Sequence, residues 1–151
     1  MKSMIVYASR HHGNTGKIVK HLADRYGITL VNAEETDRVD YSEYDLIGFA
    51  SGIDFGKFYD PVTELAEQLP AEKRIYALYT CAQDREKYGS QIEEIAGRMG
   101  CRYMGKLGCK GYNTYGPWKL IGGMNKGHPN ADDLEGVCLF YEKMMLEGQR
   151  K

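Results

Sequence analysis

The chain has 151 residues, of which 42% are hydrophobic, and its formal net charge is −1. This length and apolar content favour a folded domain with a sizeable core over disorder, and the balanced charge argues against a nucleic-acid-binding protein. No apolar run is long enough to span a membrane, and the start of the chain shows no signal-peptide pattern, so we expect a cytoplasmic protein without membrane insertion.

Nine elements are predicted from apolar runs and from apolar residues at helical spacing. In chain order they are a strand over 4–8, a helix over 15–26, strands over 28–31 and 45–50, a helix over 61–69, a strand over 74–79, a helix over 90–99, a weaker strand over 102–111 and a helix after residue 130. The continuous apolar run over 45–50 is typical of a strand that is covered on both faces.

Residues with capping preferences support these boundaries. Gly27 stands where the first helix should end, and Pro61 suits the first turn of the second helix. Ser90 followed by Glu93 fits a capping box, and Asn130 is expected to cap the last helix.

Strands that alternate with helices predict a parallel, doubly wound α/β sheet with helices on both faces, in a single domain over residues 1–151. Ligands of such sheets bind at the carboxyl ends of the strands, near the point where the strand order reverses. The loops over 9–15, 51–59 and 80–88 lie at these ends, so we expect function there.

The loop between the first strand and the first helix is rich in hydroxyl, amide and imidazole groups. Its residues are Ser9, Arg10, His11, His12, Gly13, Asn14 and Thr15. A helix N-terminus presents unpaired backbone N–H groups and the positive end of the helix dipole. The loop therefore predicts an anion site, and we expect it to hold the phosphate of a small cofactor.

Three common phosphate motifs do not fit this loop. A P-loop requires Ser or Thr after Gly-Lys, but Gly16-Lys17 is followed by Ile18. The fingerprint G-x-G-x-x-G is absent, and residues 4–15 contain no acidic residue that could hold the magnesium of a receiver domain. What remains suits a terminal phosphate monoester that is bound and not transferred.

The cysteines predict no further chemistry. Cys81, Cys101, Cys109 and Cys138 form no C-x-x-C pair, and their spacing fits neither a zinc site nor an iron–sulfur site. We expect reduced, mostly buried thiols and no metal site.

Ser9 followed by Gly13-Asn14-Thr15 resembles the phosphate loop of the flavodoxin family, in which Thr commonly stands at the position of His12. The stretches 116–123 and 126–129 are similar to the C-terminal region of a subgroup of small flavodoxin-like proteins from bacteria and archaea. The resemblance implies a five-stranded parallel sheet of order 2-1-3-4-5 and bound FMN, with the FMN phosphate in the first loop.

The resemblance also implies that the second and third loops hold the flavin ring. A peptide in the second loop of flavodoxins flips to bond the reduced ring, which makes Gly52 and Gly56 candidates. Phe55, Phe58 and Tyr59 are candidates for stacking on the ring, and we expect at least one of them to pack under the following helix instead. The cofactor residues expected in these loops are Ser51, Gly52, Ile53, Phe55, Gly56, Phe58, Thr80, Cys81 and Ala82.

The third loop contains no aromatic residue before Tyr88. We therefore consider Tyr112, Tyr115 or Trp118 as alternative covers for the ring, with Trp118 equally suited to fill the edge of the core.

The function that the resemblance implies is that of an electron carrier without catalytic residues, which cycles FMN between its oxidised, semiquinone and hydroquinone states with redox partner proteins. A small FMN-dependent NAD(P)H or quinone reductase is the alternative. A flavodoxin-like binding module without cofactor is a third hypothesis, against which the Gly-Asn-Thr loop argues. Both a monomer and a homodimer remain open.

Overall fold

The computed structural model describes residues 1–10, 12–112, 123 and 125–149. Its elements are β1 (Ser3–Ala8), α1 (Asn14–Tyr26), β2 (Thr29–Asn32), β3 (Leu46–Asp54), β4 (Lys57–Phe58), α2 (Asp60–Ala66), β5 (Arg74–Cys81), α3 (Ser90–Arg98), β6 (Arg102–Lys110) and α4 (Ala131–Gly148). All nine predicted elements are present, and β4 is an additional short strand.

The sheet has the order β2-β1-β3-β5-β6, and these five strands are parallel. Because β4 pairs only with β3, as a short antiparallel addition, the parallel strands follow the order 2-1-3-4-5 in their own sequence. The predicted fold class is therefore confirmed. The strand order reverses next to β1, which is the position where such folds bind ligands.

Two cores cover the two faces of the sheet. On one face α1 and α4 pack against the sheet, with buried side chains that include Ile5, Ile18, Leu22, Leu46, Tyr76, Leu78, Val137 and Tyr141. On the other face α2 and α3 pack against it, with buried side chains that include Val6, Phe49, Val62, Leu65, Ile75, Ile92 and Ile95. Each such aliphatic side chain contributes about 1.5–3 kcal/mol on burial. Burial on both faces explains why β3 and β5 read as nearly continuous apolar runs.

Most of the predicted helix ends are confirmed. Gly27 closes α1 in the left-handed conformation, with its N–H bonded to the Ala23 carbonyl at 2.9 Å. Asn130 and Asp133 form a capping box at the start of α4, in which each side chain accepts the other's backbone N–H.

The predicted capping box at Ser90 is wrong. The structure places Gly89 at the N-cap of α3 with φ 82°, and Ser90 is already the first helical residue. A side-chain cap requires an extended backbone at the capping residue, whereas here a turn with a Ser90 N–H to Lys87 carbonyl bond leads into the helix through left-handed Gly89.

The predicted loop over 51–59 is mostly strand. β3 continues to Asp54, and Ile53 and Asp54 pair with Phe58 and Lys57 in an antiparallel hairpin. Residues 53–58 are called the β3–β4 hairpin below. In a similar way, β5 extends to Cys81 and includes the start of the predicted third loop.

Candidate functional site

The parallel register brings the carboxyl ends of three strands together. Ala8 of β1 lies beside Ser51 of β3, and Gly52 lies beside Thr80 of β5. The segments that follow β1, β3 and β5 therefore meet at one edge of the sheet, as expected from the sequence.

The N-terminus of α1 is arranged to receive an anion. Gly13 is its N-cap with φ 67°, and the first turn carries no acidic side chain. The Ser9 hydroxyl accepts the backbone N–H of Gly16 at 2.9 Å, whereas the N–H groups of Asn14 and Thr15 have no acceptor among the residues that the structure describes. Two N–H donors, the hydroxyl proton of Ser9 and the positive end of the helix dipole thus converge at this position.

His12 takes a backbone conformation that only few non-glycine residues adopt. Its φ is 63°, and its ring centroid lies 4.3 Å from that of Tyr112. His is among the residues that tolerate the left-handed region better than most, which fits this position in a tight loop. The predicted neighbour His11 lies outside the described residues.

The Asn14 side chain binds to the chain that follows β6. Its Nδ2 donates to the Tyr112 carbonyl at 2.8 Å, and a Cβ at Gly111 would come within 2.5 Å of the same nitrogen. Gly111 is therefore required for the close approach of this side chain. The bond to Tyr112 uses one of the two Nδ2 protons, and the backbone N–H of Asn14 remains for a ligand.

Thr15 and Thr80 form a buried link between the first and third segments. Their hydroxyl oxygens lie 2.8 Å apart, and the two residues are only 3% and 5% exposed. Both residues were expected at the cofactor site, but no sequence pattern indicated that they bond to each other.

The Arg10 side chain points to other protein groups. Its guanidinium forms a forked ion pair with Glu34, with Nε to Oε1 at 2.9 Å and a second bond at 3.4 Å. Its Cζ also lies 4.4 Å from the centroid of the Tyr59 ring. The hydrogen bond to Glu34 raises the pKa of Arg10 further above its ordinary value, so the group is charged at any relevant pH.

The second segment begins with a buried hydroxyl and a buried ring. The Ser51 hydroxyl donates to the Gly52 carbonyl at 2.6 Å and accepts the Tyr59 N–H at 2.9 Å. A Cβ at Gly52 would lie 2.4 Å from the Tyr59 hydroxyl oxygen. The absence of a side chain at Gly52 is therefore explained by the Tyr59 ring, in a strand with ordinary pairing to β5.

The tip of the β3–β4 hairpin is strained and exposed. Phe55 and Gly56 have φ values of 49° and 78°, the pattern of a type I′ turn, in which Asn-Gly is the favoured pair. Phe55 is 87% exposed, which makes it an unusual bulky residue in the left-handed region. A Cβ at Gly56 would lie 3.4 Å from the Lys87 Nζ, so the hairpin tip rests on the third segment.

Of the three aromatic residues expected to stack on a ring, only Phe55 is accessible. Phe58 and Tyr59 are 2% and 4% exposed and belong to the core beneath α2 and α3. The Phe58 ring lies 6.3 Å from that of Tyr79, so it packs within the protein. Ile53 is half-buried and pairs with Phe58 across the hairpin.

In the third segment, the Cys81 thiol is protonated and the backbone carbonyls of Cys81 and Ala82 accept hydrogen bonds from residues that follow β6. Burial, assisted by the nearby Asp84 carboxylate, raises the pKa of Cys81 to about 12, so this cysteine is not a nucleophile at neutral pH. The Cys81 carbonyl accepts the Gly111 N–H at 2.9 Å, and the Ala82 carbonyl accepts Asn125 Nδ2 at 2.6 Å.

Hydrogen bonds that the sequence does not predict fasten the connection between β6 and α4 to this edge. Lys17 of α1 donates to the Pro129 carbonyl at 2.6 Å, and the Tyr112 N–H donates to the His128 carbonyl at 2.9 Å. His128 in turn bonds to Asp133 at 2.5 Å. Lys17 and Asn125 act on distant backbone carbonyls, for which the sequence carries no signal. The candidates Tyr115 and Trp118 and the stretch 116–122 lie outside the described residues.

A family model described as "Flavodoxin domain" matches residues 4–115, a span that contains all three segments. The chain belongs to the flavodoxin domain family. Among its relatives is an uncharacterized protein of Methanocaldococcus jannaschii, which is 35% identical over 148 residues that cover 96% of this chain and 99% of that protein.

Solved flavodoxin structures share the fold of this flavodoxin-family chain. A flavodoxin from the domain Archaea superposes with a TM-score of 0.64 at 17% identity, over 99% of this chain and all of that one. A flavoprotein from Lactobacillus acidophilus, solved in complex with FMN, superposes with a TM-score of 0.58 at 21% identity, over 71% of this chain and 92% of that one.

Neither a metal-binding cluster nor a membrane-spanning helix is found among the described residues. Within residues 1–10, 12–112, 123 and 125–149, no group of three or more His, Cys, Asp or Glu side chains is placed to hold a metal ion. In the same part of the chain, no helix is long and apolar enough to cross a membrane.

Proposed function

We propose that this flavodoxin-family protein binds FMN and carries electrons between redox partner proteins in the cytoplasm. The observation that carries the proposal is the N-terminus of α1, where a left-handed Gly13 cap, two backbone N–H donors and the Ser9 hydroxyl converge without a competing acidic side chain. The Lactobacillus acidophilus flavoprotein, which has the same fold and was solved with FMN, supports the choice of cofactor.

The donor set fits a phosphate monoester. Hydrogen bonds to a charged group contribute about 1.5–3 kcal/mol each, whereas the dipole of a helix contributes about 0.3–1 kcal/mol at an exposed terminus. The hydrogen bonds from Ser9, Asn14 and Thr15 are therefore the main source of affinity for the phosphate, and the helix dipole contributes less.

The flavin ring would lie between the β3–β4 hairpin and residues 80–82. Phe55 is an exposed aromatic residue at this edge, and stacking on a ring contributes about 0.5–1.5 kcal/mol beyond the area that is buried. Bound FMN supplies reversible electron transfer, and the residues of the chain bind it, orient it and limit its contact with water.

The arrangement of side chains favours a carrier over a thiol-dependent enzyme. Cys81 is the cysteine of the third segment, and its raised pKa keeps the thiol protonated. The direct oxidation of NAD(P)H by a small flavin reductase is the alternative that the experiment below tests.

Titration with FMN tests the proposal. Purified protein should acquire a yellow flavin spectrum and quench FMN fluorescence with one site per chain. Under anaerobic conditions, NADH or NADPH alone should leave the bound flavin oxidised, while a reducing partner protein should bleach it. Absence of FMN binding contradicts the proposal as a whole, and rapid bleaching by NAD(P)H alone contradicts the carrier role in favour of a reductase.

A further inference from the structure

The buried bond between Thr15 and Thr80 joins two residues that are 65 positions apart in the sequence. We infer that Thr80 is a positioning residue for the cofactor phosphate, because it orients the Thr15 hydroxyl as a donor to that phosphate; this inference rests on the proposed FMN site. Thr15 is the second residue of α1, and Thr80 is at the end of β5 beside Gly52.

The count of protons leaves one donor available in this pair. Each Thr hydroxyl has one proton and two lone pairs, and the bond between them uses one of the two protons. Neither hydroxyl has a second hydrogen-bond partner among the residues that the structure describes. The direction of the bond therefore depends on which hydroxyl finds a further acceptor.

An anion at the N-terminus of α1 supplies that acceptor to Thr15. Thr15 lies in the first helical turn beside the donors Asn14 N–H and Ser9 hydroxyl, whereas Thr80 lies on the strand behind it. When Thr15 donates to the anion, Thr80 donates to Thr15. The Thr80 hydroxyl on β5 then donates to the Thr15 hydroxyl on α1, which donates to the phosphate.

Burial makes this arrangement effective. At 3% and 5% exposure, the bond between the two hydroxyls is shielded from water, and a donor that itself accepts a hydrogen bond becomes a stronger donor in such surroundings. In addition, Thr in a helix divides between two side-chain rotamers, and the bond to Thr80 selects one of them for Thr15.

The experiment compares two ligands that differ in the phosphate. Dissociation constants for FMN and for riboflavin are measured by fluorescence quenching on the full chain and on Thr80→Val, which keeps the shape of the side chain and removes its hydroxyl. We expect FMN affinity to fall about two- to tenfold while riboflavin affinity stays within about twofold. The phosphorus NMR resonance of bound FMN should also shift in Thr80→Val.

Further variants define the direction of the effect. Thr80→Ser keeps the hydroxyl and should restore FMN affinity to within about twofold of the original chain. Thr15→Val should cost about ten- to hundredfold, because it removes a bond to a charged group, and adding Thr80→Val to it should cost nothing more. Thr63→Val is the matched control, since its hydroxyl bonds only to the Asp60 carbonyl in α2.

Two results would overturn the inference. Equal losses of FMN and riboflavin affinity in Thr80→Val would mean that the pair only fastens α1 to β5, and unchanged affinity for both would mean that Thr80 has no role. If Thr80→Val does not fold by circular dichroism, Thr80→Ala is compared with Thr80→Ser instead. If the original chain and all of its variants fail to bind FMN, the proposed function itself is contradicted. Absence of binding in the original chain therefore distinguishes that failure from a failure of the inference about Thr80.

Discussion

The N-terminus of α1 and the β3–β4 hairpin border the same edge of the sheet but are built in opposite ways. Around the helix terminus, side chains form hydrogen bonds to the backbone, as Ser9 does to Gly16 and Asn14 to Tyr112. At the hairpin tip, Phe55 extends into solvent on a left-handed backbone. Buried or half-buried hydrogen bonds hold the helix terminus in place. The hairpin tip instead adopts a turn that a bulky residue such as Phe55 disfavours.

This difference indicates two roles. Donors that bind a fixed anion perform best when the protein holds them in place before binding, because no ordering cost is then paid on association. A bulky residue in the left-handed region costs about 1–2 kcal/mol, so the hairpin conformation is only weakly preferred. We therefore expect the helix terminus to determine affinity for the phosphate and the hairpin to adapt to the ring.

The largest effect is expected where the hairpin joins the frame, at Gly52. Gly52 is paired with Thr80 of β5, and a Cβ there would lie 2.4 Å from the Tyr59 hydroxyl oxygen. Gly52→Ala should lower the free energy of unfolding by about 1–3 kcal/mol through overpacking. Urea denaturation followed by circular dichroism measures the change.

Two controls separate overpacking from the loss of a glycine as such. Gly97→Ala in α3 meets nothing within 4 Å, so it should be neutral or should stabilise by up to about 1 kcal/mol. Tyr59→Phe combined with Gly52→Ala removes the nearest atom and should recover part of the loss. If Gly52→Ala proves as stable as the original chain, the close contact with Tyr59 is not the reason for this glycine.

The second effect concerns the helix terminus. Ser9→Ala leaves the Gly16 N–H without its acceptor, which should destabilise the protein by about 0.5–2 kcal/mol. It should also weaken FMN more than riboflavin, because the hydroxyl proton is a phosphate donor in the proposed site. Ser9→Thr keeps the hydroxyl and is the matched control. An equal loss for both ligands would limit Ser9 to a structural role.

The third effect should separate stability from affinity at the hairpin tip. Phe55→Asn supplies a residue that suits the first position of a type I′ turn, so we expect a gain of about 0.5–1 kcal/mol in the free energy of unfolding. FMN affinity should fall about two- to tenfold because the ring that stacks is lost. Phe55→Leu should lose affinity without the gain in stability. A Phe55→Asn variant that binds FMN as tightly as the original chain would exclude Phe55 from the site.

A region can be predicted from the sequence when the residues that form it are close together along the chain. The helix terminus was predictable because an apolar strand, a polar loop with Gly13 and an amphipathic helix are adjacent in the chain. The hairpin cannot be predicted in this way, because β4 has two residues and Phe55-Gly56 lacks the Asn-Gly signal of a tight turn.

Long-range contacts account for what the sequence could not show. The sequence leaves open whether Phe58 and Tyr59 stack on a ring or pack under a helix, and only the packing of α2 and α3 decides that both rings are buried. The Thr15–Thr80 bond depends on the order of the strands in the sheet, and no local pattern encodes it.

The smallest effect is expected from the ion pair that lies between the two regions. Arg10 follows β1 and contacts both Glu34 and the Tyr59 ring, with its side chain 41% exposed. An exposed pair of this kind contributes about 0.2–1 kcal/mol, and salt at about 1 M should abolish that contribution. A double-mutant cycle of Arg10→Met and Glu34→Gln, measured by urea denaturation at low and high salt, tests this value. Because the guanidinium is already paired, Arg10→Met should weaken FMN less than Ser9→Ala does. A larger loss of FMN affinity in Arg10→Met than in Ser9→Ala would show that Arg10 leaves Glu34 to bind the phosphate. The phosphate site at the helix terminus would then not be fully arranged before FMN binds, and its contrast with the hairpin would be smaller.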